Sequence, residues 1–274
     1  MPIEDSLLEQ ALRGFHRHVA PHRHSGLLAA IVVLFAVRPL IGDNVAGSAI
    51  FGVAMVLLLL VALYNINIDE LVGERGRLLA QARRRRRLGW VLAIAAGLER
   101  GYAMFGHNSM LNLVGLIFWL LFIVFVTFSQ LRSVLKQREV TGETICMAIS
   151  VYLLIAFSWT LLYGIMFLLH PDSFAGLALA KPGQPQEVLH IFPVLGYFSC
   201  TTLSTIGFGD ITPLTLQARY AAVAEGITGQ FYMAILVARL VGLQMSQSAD
   251  QYMENDARAL RAEELERNRD LAPE

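Results

Sequence analysis

Two apolar stretches long enough to cross a membrane, Thr144 to Leu169 and the segment that starts near Leu214, flank a short run that does not belong in lipid: Thr202, Leu203, Ser204, Thr205, Ile206, Gly207, Phe208, Gly209 and Asp210. Irregular backbone at membrane depth is tolerated only where protein buries it or water wets it. Gly207 and Gly209 permit backbone angles that turn successive carbonyls toward one axis, and such carbonyls can replace the hydration shell of an ion. The run therefore reads as an ion filter. The competing reading is an extracellular Gly-Asp turn with Pro213 starting the next helix. The amphipathic stretch from Phe192 to Ser204 and the apolar segment that follows favour the filter.

The rest of the chain agrees with a membrane location. Hydrophobic residues make up 55% of it, and uncharged runs approach the ~20 residues that cross ~30 Å of hydrocarbon. Six spans are expected, at about Gly26 to Ile41, Val45 to Ile66, Leu88 to Phe105, Met110 to Gln130, Thr144 to Leu169 and Leu216 to Leu243. Net charge is zero, so the distribution of charge between loops decides topology. Basic residues cluster before the first span (Arg13, Arg17, Arg23), between the second and third (Arg75, Arg77, Arg83 to Arg87) and between the fourth and fifth (Arg132, Lys136, Arg138). The loops at Gly42 to Asn44 and Gly106 to Ser109 have neither Lys nor Arg. By the positive-inside rule both termini are cytoplasmic, and the segment from His170 to Leu214 dips into the membrane from the outer side.

The string Thr205, Ile206, Gly207, Phe208, Gly209, Asp210 resembles the filter signature of the potassium channel family, Thr-Val-Gly-Tyr/Phe-Gly-Asp, with Ile in place of Val. The resemblance is specific over about Phe192 to Leu243. It implies an all-α membrane protein of six transmembrane helices with a re-entrant pore helix, here Tyr197 to Ser204, and a selectivity filter. K⁺ would be held by the carbonyls of Thr205, Ile206, Gly207 and Phe208 and by the Thr205 hydroxyl, with Gly209 outermost and Asp210 at the outer mouth. A carbonyl cage of this type needs four sides, and the chain supplies one, so a homotetramer is expected. Many family members carry Trp eight and seven positions before the first filter Thr, and some a Glu four before it; here those positions hold Tyr197, Phe198 and Thr201. Phe208 lacks the hydroxyl that a Tyr would offer to such aromatics, which points to a less hydrogen-bonded outer cuff and a filter prone to inactivation. Asp210 has a structural role open to it as well, capping the following turn through Thr212.

Span six would line the pore. Gly229 stands where voltage-gated family members carry a glycine at which this helix bends; Gly226 and Gly229 could equally serve close helix packing. Glu225 lies inside an apolar helix, where a carboxylate is expensive and usually partnered. A hydrogen bond to a pore-helix hydroxyl, Ser199 or Thr202, is expected to brace the filter from behind, the alternative being a cavity-facing acid that concentrates cations. Arg239 is expected to snorkel to lipid headgroups. Cys146 and Cys200 read as small packing residues. His16, His18, His22 and His24 invite a metal site, but Pro21 interrupts the helical spacing, and a basic interfacial segment is the preferred reading.

The first four spans match a voltage-sensing domain in number only. Met110 to Gln130 has no charge at all, whereas a sensor needs charges that move in the membrane field. Glu99 and Arg100 in span three are read as structural. The expected organisation is a cytoplasmic segment over 1–25, a four-helix membrane domain over 26–131, a linker over 132–143, a pore domain over 144–245 and a charged cytoplasmic tail over 246–274. Leu260 and Leu265 offer the tail only a thin apolar seam. No cofactor is expected beyond K⁺ as the permeant ion. The expected partners are other copies of the chain, membrane lipids and K⁺, with a regulatory subunit or ligand left open and no nucleic acid. No Ser/His or paired-carboxylate set with sensible spacing suggests an enzyme. A weakly selective cation channel and a non-conducting sensor or scaffold are the alternatives. Short loops and a compact tail suggest a bacterial inner membrane.

Overall fold

The computed structural model describes residues 23–41, scattered positions between 54 and 97, and residues 109–137, 139–177 and 188–270. Most of the expected second and third spans, the Glu99 and Arg100 pair, His16, His18 and His22 lie outside the described residues. The described part is mostly helical. Three of its helices contain segments long and apolar enough to cross a membrane: Asn112–Lys136, Gly142–Leu169 and Leu216–Arg261.

In chain order, α1 covers Arg23–Ile41 and α2 covers Ser109–Lys136. Helix α3 covers Gly142–Leu169, α4 Val188–Leu203, and α5 runs unbroken over Leu216–Asp270. Between α3 and α4 lie a 3₁₀ turn, Pro171–Ser173, and the short strand β1, Phe174–Ala175. Strand β2, Thr212–Pro213, pairs antiparallel with β1, with Phe174 opposite Pro213 and Ala175 opposite Thr212.

Helix α3 is central, packing against α1, α2, α4 and α5. It starts at a capping box in which Thr141 and Thr144 each accept from the other's backbone N–H, satisfying donors that a helix start leaves free. Its hydroxyls at Ser150, Ser158 and Thr160 donate to carbonyls one turn earlier, which lets polar side chains sit in an apolar helix. Leu27, Ile31 and Leu34 of α1 form one stripe, and Trp119, Phe122, Ile123 and Val126 of α2 another; both bury against Leu154, Phe157 and Leu161 of α3 in a hydrophobic cluster. These are the i, i+3, i+4, i+7 positions of one helical face.

Two features differ from expectation, the start of α4 and the cap of α5. Helix α4 begins at Val188 rather than Tyr197, with Pro193 inside its second turn, where the ring removes one backbone hydrogen bond. Helix α5 runs past Leu243 into the charged tail, which suits a helical extension. The Ala, Glu, Arg, Leu and Gln residues that follow favour helix, so it continues through a polar stretch to Asp270. The N-terminal cap of α5 belongs to Thr215, whose hydroxyl accepts from the Ala218 N–H at 3.4 Å, while Thr212 is taken up in β2.

Candidate functional site

Helix α4 ends in a set of carbonyls that a helix cannot satisfy internally, and the residues that follow supply their donors. The Ser204 N–H reaches the Cys200 carbonyl at 3.1 Å and the Thr205 N–H reaches Thr202 at 3.0 Å. The N–H groups of Ile206 and Gly207 both converge on the Thr201 carbonyl, at 2.9 and 3.1 Å. The Leu203 carbonyl accepts from the Tyr152 hydroxyl of α3 at 3.3 Å. The start of the candidate filter is thereby tied to α4 through its N–H groups.

Alternating backbone hand does the rest. Thr205, Gly207 and Gly209 have φ of +59°, +52° and +78°, and none of the residues between them has a positive φ. Such alternation sorts amides to one side of the chain and carbonyls to the other. The amides of 205 to 207 are held by α4, and Ser204 to Asp210 are exposed in the single chain. Thr205 is the one described non-glycine residue with positive φ; its hydroxyl donates to the Ser204 carbonyl at 2.7 Å. The Gln230 side-chain amide of α5 donates to that hydroxyl oxygen at 3.4 Å, a contact the sequence did not suggest.

The outer end is braced by aromatic rings. Phe208 stacks on Tyr197 with centroids 6.2 Å apart and planes 2° from parallel, and Tyr197 lies near enough to Asp210 to feel its charge. Ring stacking is thus the contact that holds Phe208 against α4. Phe198, on the buried side of α4, forms edge-to-face contacts with Tyr163 of α3 and Phe174 of β1, which also meet each other, at 5.1, 5.5 and 5.5 Å. Behind the outermost filter residues, Gly176 has φ +83°, and a Cβ there would run into the Asp210 carbonyl oxygen. Thr201 is buried, and its hydroxyl bonds back to the Phe198 carbonyl at 3.0 Å.

Glu225 is fully buried. Of the two hydroxyls proposed as partners, Ser199 is the one that reaches it, at 2.5 Å to Oε1. The other carboxyl oxygen accepts from the Tyr163 hydroxyl at 2.5 Å. Tyr163 escaped sequence reasoning because a tyrosine in an apolar helix looks like any core aromatic; the one available signal was that a buried phenol needs a partner. Glu225 therefore joins α3, α4 and α5 and does not face a cavity.

Gly229 lies where α5 crosses the end of α4. A Cβ at 229 would overlap the Leu203 carbonyl oxygen and come within 3.0 Å of the Leu203 Cδ1, while a Cβ at Gly226 would meet the Thr202 carbonyl at 3.8 Å. The helix passes through both positions without a break, so close packing accounts for Gly229. Arg239 departs from expectation. Its guanidinium donates to the Leu135 and Gln137 carbonyls, at 2.5 and 2.9 Å, where the negative end of the α2 dipole and its orphan carbonyls make a better partner than lipid headgroups. Nearby, the Gln247 side chain accepts from the Val140 N–H at 3.1 Å. Cys146 and Cys200 are both free thiols.

No curated protein matches the chain. Residues 187–244, which contain all of α4, the candidate filter and the apolar half of α5, match the family model described as Ion channel, and this part of the chain is similar to an ion channel domain.

Proposed function

We propose that the protein is a potassium-selective channel that conducts K⁺ passively through a homotetrameric pore, each chain contributing one wall. The observation that carries the reading is the backbone from Thr205 to Gly209: alternating hand at 205, 207 and 209 with the amides of 205 to 207 turned back to α4. In this reading the carbonyls of Thr205, Ile206, Gly207 and Phe208 and the Thr205 hydroxyl bind dehydrated K⁺ in succession, and Asp210 attracts cations at the outer mouth. Helix α4 is the re-entrant pore helix, with its negative dipole end toward the inner cavity, and α5 is the inner helix.

What the single chain leaves uncovered supports assembly with further copies. Ile206 and Phe208 are 60% and 68% exposed, and backbone of this kind cannot face lipid, so neighbouring copies must enclose it. Tyr220, Val223, Ile227 and Phe231 form an exposed apolar stripe on α5 of the kind that copies or lipid cover. We further propose six spans with both termini cytoplasmic in a cell membrane, the division into segments 1–25, 26–131, 132–143, 144–245 and 246–274, and no ordinary voltage gating, because α2 has no charge from Met110 to Gln130. Passive conduction assigns the chain no catalytic residue and no cofactor.

K⁺ and Na⁺ flux into liposomes at a fixed imposed potential tests the proposal. Flux of K⁺ alone, abolished in Gly207→Ala, is the expected result. Equal flux of both ions would replace it with a weakly selective cation channel, and no flux under any condition would leave a non-conducting sensor or scaffold.

A further inference from the structure

The cluster behind the filter contains one hydrogen fewer than its geometry requires unless Glu225 supplies it. Four oxygen pairs lie at hydrogen-bond distance: Tyr163 hydroxyl to Glu225 Oε2 at 2.5 Å, Ser199 Oγ to Glu225 Oε1 at 2.5 Å, Ser199 Oγ to the Ala156 carbonyl at 2.8 Å, and Thr160 Oγ1 to the same carbonyl at 2.8 Å. Two oxygens this close repel unless a hydrogen lies between them. The hydroxyls of Tyr163, Ser199 and Thr160 bring three hydrogens, one each. With an ionised Glu225, Ser199 has to abandon either the carboxylate or Ala156. With a protonated one, every pair has its hydrogen.

We infer that Glu225 is a neutral, hydrogen-donating positioning residue: its carboxyl O–H donates to Ser199 Oγ, the Ser199 hydrogen goes on to the Ala156 carbonyl, and Tyr163 donates to the other carboxyl oxygen. The chain of bonds runs through three elements. Ala156 and Tyr163 belong to α3, Ser199 to α4 and Glu225 to α5, and Ser199 lies two residues before Thr201, the carbonyl that holds the Ile206 and Gly207 amides. The same Tyr163 ring packs on Phe198 and Phe174. The proton thus sets the position of α4 against its neighbours, and through α4 that of the filter.

Burial favours the same state, because a carboxylate removed from water needs more compensation than two hydroxyls give. Among the described residues, the titratable groups within electrostatic reach of Glu225 are Tyr152 and Tyr163 of α3 and Cys200 of α4. None is a cation that would hold a carboxylate charged at neutral pH. When base removes the Glu225 proton to water, Ser199 is left with two acceptors and one hydrogen, and the tie to α3 or to α5 opens. Conduction is therefore expected to be supported at neutral pH and to fall as pH rises.

The pH dependence of flux rests on the channel proposal; the protonation state does not, and the test separates them. Infrared spectra of the full-length protein in lipid at neutral pH are expected to contain a protonated-carboxyl C=O stretch that is missing in Glu225→Gln. Absence of that difference band overturns the inference, whatever the flux. In liposomes, Glu225→Ala is expected to lower K⁺ flux at least tenfold. Glu225→Gln, whose amide can donate to Ser199 and accept from Tyr163, should restore most of it and flatten the alkaline decline. A Gln variant as impaired as the Ala variant, or one with the wild-type pH profile, overturns the positioning role. A wild-type protein silent at every pH counts against the channel proposal and leaves the infrared band to decide the proton.

Discussion

Around Phe122, helices α1, α2 and α3 meet through packed hydrophobic side chains; around Glu225, helices α3, α4 and α5 meet through a carboxyl, two hydroxyls and a main-chain carbonyl as well as packed rings. Both joints use α3, on different faces. Apolar packing is non-directional and tolerates exchange of one hydrocarbon for another of similar volume. Hydrogen bonds are directional, and a buried group left without one is penalised. The difference teaches where the molecule requires particular residues: the first joint needs volume and apolarity, the second needs each atom.

The strongest way to break the comparison is at the filter itself. Gly207 has open space where a Cβ would go but φ of +52°, and an L side chain held in the left-handed region costs about 1–2 kcal/mol. In the proposed tetramer, where the strain would be repeated in each subunit, Gly207→Ala is expected to reduce K⁺ flux at least tenfold while the protein still assembles; wild-type flux in that variant would remove the alternating backbone from the mechanism. Next in size is Gly229→Ala. Overpacking against the Leu203 carbonyl should cost about 1–3 kcal/mol, read as a lower unfolding temperature together with several-fold lower flux. An unchanged protein would show that α5 can move away from α4, which is the bending role over the packing one.

Arg239→Gln sharpens the comparison at the other end of the membrane segment. Losing charge-assisted bonds to the α2 terminus is expected to cost about 1–2 kcal/mol and to change flux by a few-fold without altering the preference for K⁺ over Na⁺. A change in ion preference would mean that Arg239 acts on the permeation path. The smallest effect is expected at the apolar joint. Phe122→Leu keeps a hydrocarbon at a fully buried site and should lower stability by about 1 kcal/mol, with flux per folded channel and ion preference unchanged. A loss of selectivity there would erase the distinction between the two joints.

The positions of α2 and α3 were legible in the chain, and so were the beginning of α5 and a buried partner for Glu225. Helix α4 was read too short at its start, from Tyr197 rather than from Val188. Tyr163 and Gly176 went unnoticed, and Arg239 was given to lipid when it binds the end of α2.

Local order and burial tendency are written into the sequence because they follow from neighbours along the chain: uncharged runs of membrane length, glycines at 207 and 209, and a carboxylate in apolar surroundings. Partnership is decided by folding. Tyr163 meets Glu225 across 62 residues and Gly176 meets Asp210 across the β1 and β2 pairing, contacts that no periodicity encodes. The hydrogen count that assigns Glu225 its proton exists only once α3, α4 and α5 are in place, since it depends on which oxygens the tertiary structure brings within reach of one another.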